Sequence, residues 1–569
     1  MLMARAAGRV VGLLAVASVL SLLVVGCSAR SVVGQGVQGA GSAVDAISGD
    51  RLAEHLRVLA SDGFEGRAPA TVGEEKTVAY ISGQFAEAGL RPAGDAGGWT
   101  QAVTLARTEI AGPVAASFTV GGGGAWSVVN GEDIALETLH PEGDVALRDV
   151  PVVFAGFGIT APELGWDDYA GLDVRGKVVV VLVNDPDFET APGRFGGKAM
   201  TWYGRWAYKY IEAARRGAAG VLIVHETAPA AYPWATVRNG RAAPQFDIVR
   251  ADAATYHLPV RGWIQRATAE RLFAEAGLSF EAAKREAQQA GFRGRALEGV
   301  AFSAGFAVKR SRITSHNVLG LLPGAGRADE TVIVSGHWDS FGIGEPDETG
   351  DAIINGAVDN ATAIASMLEI ARVMAAGPAP ARSVLFIALT AEESGLLGAT
   401  HYAAHPLRPL ATTAAAINME MWSPDGPTRD ISSWGLGKVS LERALEAAAR
   451  AEGRTYSPDP ELEAGFFYRA DHFAFAQAGV PAITVGPGMD QLDGGVEGGR
   501  AARADYFARR YHQPGDEFDE GWDMRGPTAD TAVVLRLVRD VAGSAAWPEW
   551  DAGSEFRAMR ESTADMRAR

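Results

Sequence analysis

The chain predicts an α/β protein carrying a second, β-rich unit inserted into its first half. Two observations carry this. Apolar runs of strand length at residues 331–335, 384–390, 414–421 and 480–485 alternate with helical stretches through the second half. Between about residues 150 and 262 the texture changes to closely spaced strands around one helix. At 569 residues the prior is two or three domains, and 47% hydrophobic with 21% charged residues suits a globular chain. A formal charge of −17 argues against nucleic acid or an anionic membrane surface as partner.

In order, Arg5 and Arg9 precede an apolar run over 10–25, too short for a comfortable transmembrane span and patterned as an export signal. It ends in Val24-Val25-Gly26-Cys27, which resembles a bacterial lipobox and implies lipidation of Cys27, the sole cysteine. Residues 1–26 are thus expected to be a lipoprotein signal and 27–46 a flexible tether of small and polar residues. With one cysteine no internal disulfide is available, so stability must come from packing. Ser28 after the cysteine, by resemblance to sorted lipoproteins, implies an outer-membrane location.

Leu52, Leu56 and Leu59 mark a first helix, and Val78, Ile81, Phe85 and Ala88 a second, closed by Gly89 ahead of Pro92. Residues 100–145 alternate weakly and read as strands with a hairpin edge. Strands follow at 151–156, 177–183 and 218–224, with a helix at 208–217 between the last two. Residues 268–289 read as helical, and 317–322 as a strand. The expected organisation is a first part of the main domain at 47–145, an insert at 146–264, a second part at 265–546 and a charged tail at 547–569.

The most informative stretch is 331–360. A buried strand closes at Gly336 and delivers His337 and Asp339 to its end, where open α/β sheets bind ligands. An acidic, Gly-rich loop then leads to Asp359, which opens an Ala-rich helix. The next strand ends in Glu392-Glu393, the one after it in Glu420, and His512 follows late in the chain. No G-x-S-x-G elbow is present, and His225-Glu226 does not extend to H-E-x-x-H because Pro229 stands at the second His position. What remains is two imidazoles and four carboxylates at strand ends, a donor set suited to two Zn²⁺ ions about 3.5–4 Å apart with one carboxylate left as base. Alone, Glu392-Glu393 would read as a solvated helix start. The acidic residues Glu345, Asp347, Glu348 and Asp351 read as a solvated loop.

The series H-x-D, D-N-A, E-E-x-G-L-L-G, N-x-E-M and Y-H-x-x-x-D resembles the co-catalytic di-zinc aminopeptidases of the glutamate carboxypeptidase and transferrin receptor superfamily. The resemblance covers about residues 50–540, including Phe64-Glu65-Gly66-Arg67. The stretch 156–186 with Ala218–Val224 looks like the protease-associated domain of secreted members. It implies a mixed, mostly parallel sheet with helices on both faces, the zinc exopeptidase fold. It also implies an exported enzyme that hydrolyses N-terminal residues from peptides, with two Zn²⁺ as cofactors and membrane contact through the N-terminal lipid alone. His337 and Glu420 would hold one ion, Glu393 and His512 the other, and Asp359 would bridge them. Glu392 matches the general base, Asp339 would orient His337, and Tyr511 would help hold the oxyanion. The family more often has Asp at the position of Glu420, and Ala470 stands where relatives commonly carry Ser, so Asp471-His472 receives no role. Alternatives are a zinc carboxypeptidase or dipeptidase on the same scaffold, a non-catalytic receptor, and a glutaminyl cyclase-like acyltransferase.

Overall fold

The computed structural model describes residues 43–121, 124–190, 193–344 and 346–567. The signal, Cys27, most of the tether and Glu345 lie outside the described residues. Four parallel strands form the centre of the fold, in the order Ala482–Pro487, Thr413–Met419, Arg327–His337, Arg382–Leu389. Antiparallel strands flank them, Asp430–Ser433 on one side and residues 318–322 on the other. The sheet is therefore mixed and mostly parallel. Every position of Arg382–Leu389 and of Thr413–Met419 is buried, so both faces of the sheet are covered. Thr362–Ala375 and Arg525–Gly543 supply much of that cover, and their apolar residues join one large core with the strands. Among the described residues no helix is long and apolar enough to cross a membrane.

Register places the site. His337 pairs with Leu389, and Ser335 with Asn418, in strands that run the same way. Their C-terminal ends therefore open at one edge, and His337, Glu392 and Glu420 emerge together there.

A second core lies beyond the antiparallel flank. Val145–Phe154, Val178–Leu182, Gly220–His225 and Val260–Gln265 run parallel, and Val178–Leu182 and Gly220–His225 are buried throughout. This core draws on residues from Ala116 to Phe306, wider than the expected insert at 146–264. The helices Arg266–Glu275 and Phe280–Ala287 belong to it, contributing Leu272, Phe273, Phe280 and Ala287. They replace the single expected helix because Gly277 takes a left-handed φ of +71° and Ser279 caps the second one.

The strand expected at 317–322 is the end of a 28-residue strand, Arg295–Leu322, which pairs with Thr100–Val120 over residues 301–318. Register shifts near Gly305 and between Ala296 and Ala301 break the alternation, which is why the sequence hides its extent. The tail is also better anchored than its charge suggests: Trp550 and Phe556 are buried, and Trp550 donates to Gly479 O at 3.1 Å.

Candidate metal centre

Six side chains from five chain segments meet at the sheet edge. Asp359 stands at the centre, with each carboxylate oxygen facing a different imidazole. Oδ1 lies 3.2 Å from His337 Nε2, and Oδ2 lies 3.4 Å from His512 Nε2. On the His337 side, Glu420 Oε2 is 3.4 Å and Glu392 Oε2 3.9 Å from the same ring nitrogen. On the other side Glu393 Oε2 is 3.2 Å from His512 Nε2. His337, Asp359 and Glu393 each offer a donor atom within 4.8 Å of the others, and so do His337, Glu392 and Glu420.

The charges fit a cation. His512 Nε2 and Glu393 Oε1 are buried and have no hydrogen-bond partner. Burial pushes Glu392 well above the usual carboxylate range, with Glu393, Glu420 and Asp471 adding to it. Burial also raises Glu420. Asp359 goes the other way: burial would raise it, but the two imidazoles its oxygens face, His337 and His512, hold it well below the ordinary value. Burial lowers His512, yet the surrounding carboxylates carry it up to about 9. Several carboxylates this close, with two buried atoms left unpartnered, make the donor set that Zn²⁺ takes, namely imidazole nitrogen and carboxylate oxygen.

Local structure holds each donor. Gly356, with φ +55°, lets the chain turn just before Asp359; a Cβ there would collide with Asp359 O and the Ser340 hydroxyl. Asp516 receives the Val358 and Asp359 amides at 3.0 and 3.1 Å and the Tyr506 hydroxyl at 3.2 Å, and burial pushes its own carboxyl up to about 7. Glu420 is clamped by two amides: Asn360 Nδ2 donates to Oε2 at 2.6 Å and Asn418 Nδ2 to Oε1 at 3.0 Å. Asn418 in turn accepts from Ser335 Oγ at 2.8 Å. The longer carboxylate is thus fixed at both oxygens.

Asp339, expected to orient His337, meets the ring through its main chain, with Nδ1 3.1 Å from Asp339 O. Its carboxylate receives the Glu392 and Glu393 amides at 3.0 and 3.3 Å, pinning the turn that carries that pair. Tyr511 lines the cavity above these donors and stacks on His512 at 3.6 Å.

Two residues matter more than the sequence indicated. Arg67 is fully buried and gives its guanidinium to four carbonyls, those of Leu59, Trp338, Asn355 and Gly356, at 2.5–2.8 Å. It ties the loop after His337 to the turn before Asp359. Asp516 appeared only as the last letter of Y-H-x-x-x-D, and its backbone contacts have no one-dimensional signature. Asp471 is buried with neither oxygen hydrogen-bonded, while His472 Nδ1 meets Thr484 Oγ1 at 2.6 Å.

A parallel-centred sheet with imidazoles and carboxylates gathered at its C-terminal edge defines a zinc-exopeptidase type of fold. The structure matches an aminopeptidase from Aneurinibacillus sp. strain AM-1 at TM-score 0.51 and 20% identity, over 89% of this chain and 96% of that one. The sequence model of Peptidase family M28 matches residues 317–537, so the chain carries an M28 domain there. A probable zinc metalloprotease of Pyrenophora tritici-repentis is 28% identical over 36% of this chain and 47% of its own length. Aminopeptidase YwaD of Bacillus subtilis is 37% identical over 16% of this chain and 18% of its own. The chain spans about half the length, or less, of these curated relatives.

Proposed function

We propose that this chain is an exported, lipid-anchored, zinc-dependent exopeptidase that removes N-terminal residues from peptides, with Glu392 as general base. The observation that carries it is Asp359, whose two oxygens face His337 and His512 with Glu420 and Glu393 beside them. In this reading His337 and Glu420 hold one ion, Glu393 and His512 the other, and Asp359 is shared. Zinc there supplies Lewis acidity toward the peptide carbonyl and acidity to water.

The protein's own groups do the rest. Glu392 takes the proton of the attacking water and returns it to the leaving amine, and a carboxylate whose proton affinity burial has raised suits that task. Tyr511 donates its hydroxyl to the oxygen that gains charge. Glu392, Asp359 and Glu420 offset the cost of desolvating the substrate ammonium. Residues 146–264 serve as a protease-associated insert, and the lipid on Cys27 supplies the membrane contact.

The test is elemental analysis of the purified protein alongside turnover of peptides with free and N-acetylated termini. About two zinc ions, loss of activity to a chelator and preference for the free terminus are expected. Full activity without metal would end the zinc reading, and indifference to N-acetylation would end the aminopeptidase one.

A further inference from the structure

Away from the metal centre, two imidazoles meet on the surface. His401 and His405 stand one turn apart at the end of the helix Leu397–Ala404, and their rings stack with centroids 4.7 Å apart and planes 29° from parallel. Residues four apart share a helix face, the spacing by which an H-x-x-x-H pair grips zinc. The opposite face is committed to the core through Leu397, Ala399 and Tyr402. The pair therefore points outward, His401 half-buried and His405 exposed.

The ring nitrogens are placed to ligate. His405 Nδ1 lies 3.3 Å from the His401 carbonyl; a carbonyl only accepts, so Nδ1 carries the proton and Nε2 keeps its lone pair. Among the described residues no hydrogen bond engages the His401 ring. Burial, with the charge of His405 adding to it, lowers the His401 pKa, which keeps that ring in the neutral form that binds metal. Asp95 acts the other way, so its carboxylate is within electrostatic reach and favours a cation at this face. Asp95 is itself held, receiving the Ala102 amide at 2.9 Å.

The backbone beneath the pair is fixed. Gln101, 2% exposed, donates Nε2 to His405 O at 2.8 Å. Asn317 Nδ2 bonds to Gln101 Oε1 at 3.1 Å and to Gly398 O at 3.0 Å. Both ends of the helix are thus tied to one pair of buried amides, so a chelate closing there orders little backbone. Just before the helix, the Gly395 and Leu396 amides donate to Glu392 O at 2.8 and 2.9 Å.

We propose that His401 and His405 chelate one divalent transition-metal ion, of the class that takes imidazole nitrogen, with water completing its shell. The ion braces the last turn of the helix that begins at the Glu392–Glu393 turn. The site is separate from the one built on Asp359 and does not depend on the peptidase reading.

Zinc is the probe. The full chain with its metal centre loaded is titrated with Zn²⁺ against a chromophoric chelator. The reference is the His401→Ala/His405→Ala double variant, so the count does not depend on how many ions the centre holds. One further equivalent is expected over that reference. Either single variant should weaken it by at least about 10-fold, the least that losing even an outer partner of a metal ligand typically costs. His140→Ala, which removes a lone imidazole elsewhere, should leave it intact. Added zinc should also raise the Tm of the parent chain more than that of the double variant. Equal equivalents, affinity and Tm response in parent and double variant would overturn the chelate. So would a loss confined to one single variant, the mark of an isolated imidazole. A further equivalent that persists in a chain whose Asp359 centre takes up no zinc would leave the chelate standing and sink the peptidase reading instead.

Discussion

The two halves of the donor set are built differently. His337 is 1% exposed and closes a buried strand, and Glu420 is gripped at both oxygens by Asn360 and Asn418. His512 is 32% exposed, sits on a loop at φ +57°, and is held by ring contacts with Tyr511 and Phe341; Glu393 Oε1 has no partner. Hydrogen-bonded donors on rigid elements are set before an ion arrives, whereas stacked donors on a loop still have freedom to lose. The lesson is that one half is a fixed frame and the other closes onto it, so the His512 half should be the weaker.

Substitutions can break or sharpen that contrast. The largest effect is expected from Asp359→Ala, which removes the one donor common to both halves: bound zinc should fall to near zero and activity should vanish. Retention of one full equivalent would show that the bridge serves one half alone. Glu392→Gln should lower kcat by about 10²–10⁴ while leaving metal content unchanged. If zinc is lost instead, Glu392 is a ligand and Glu393 the base. His512→Ala should shed about one ion and keep the other, whereas His337→Ala should lose more; equal losses measured by elemental analysis would erase the asymmetry. The smallest effect belongs to Asn418→Ala, which frees one oxygen of Glu420 and should weaken zinc affinity about 10- to 100-fold in a competitive chelator titration. No change there would mean that the clamp from Asn360 suffices.

What the sequence made legible follows the same division. His337, Glu392 and Glu420 stand at the ends of buried runs, and such runs announce both the strand and its terminus. Asp359 and His512 needed the ordered series of motifs, because a loop donor has no periodicity of its own. The contacts of Asp516 with two amides, and of Arg67 with four carbonyls, are invisible in one dimension, since their partners are backbone atoms far away in the chain. Long strands were obscured for another reason: Arg295–Leu322 changes neighbours and register along its course, so no single alternation describes it. Arg469 lines the cavity directly after the short turn Phe466–Tyr468, a placement with no periodic signature in one dimension.

Arg67 lies some 250 residues before the segment that matches Peptidase family M28, yet its guanidinium fills the gap between that segment's two ligand-bearing turns. A fragment trimmed to 317–537 would lose the donor to three of those carbonyls, Trp338, Asn355 and Gly356, and a buried carbonyl without a donor costs about 1–3 kcal/mol. The recognisable module is therefore not the cooperative unit. The turns beside His337 and Asp359 are expected to be fully held only when the N-terminal segment bearing Arg67 has docked.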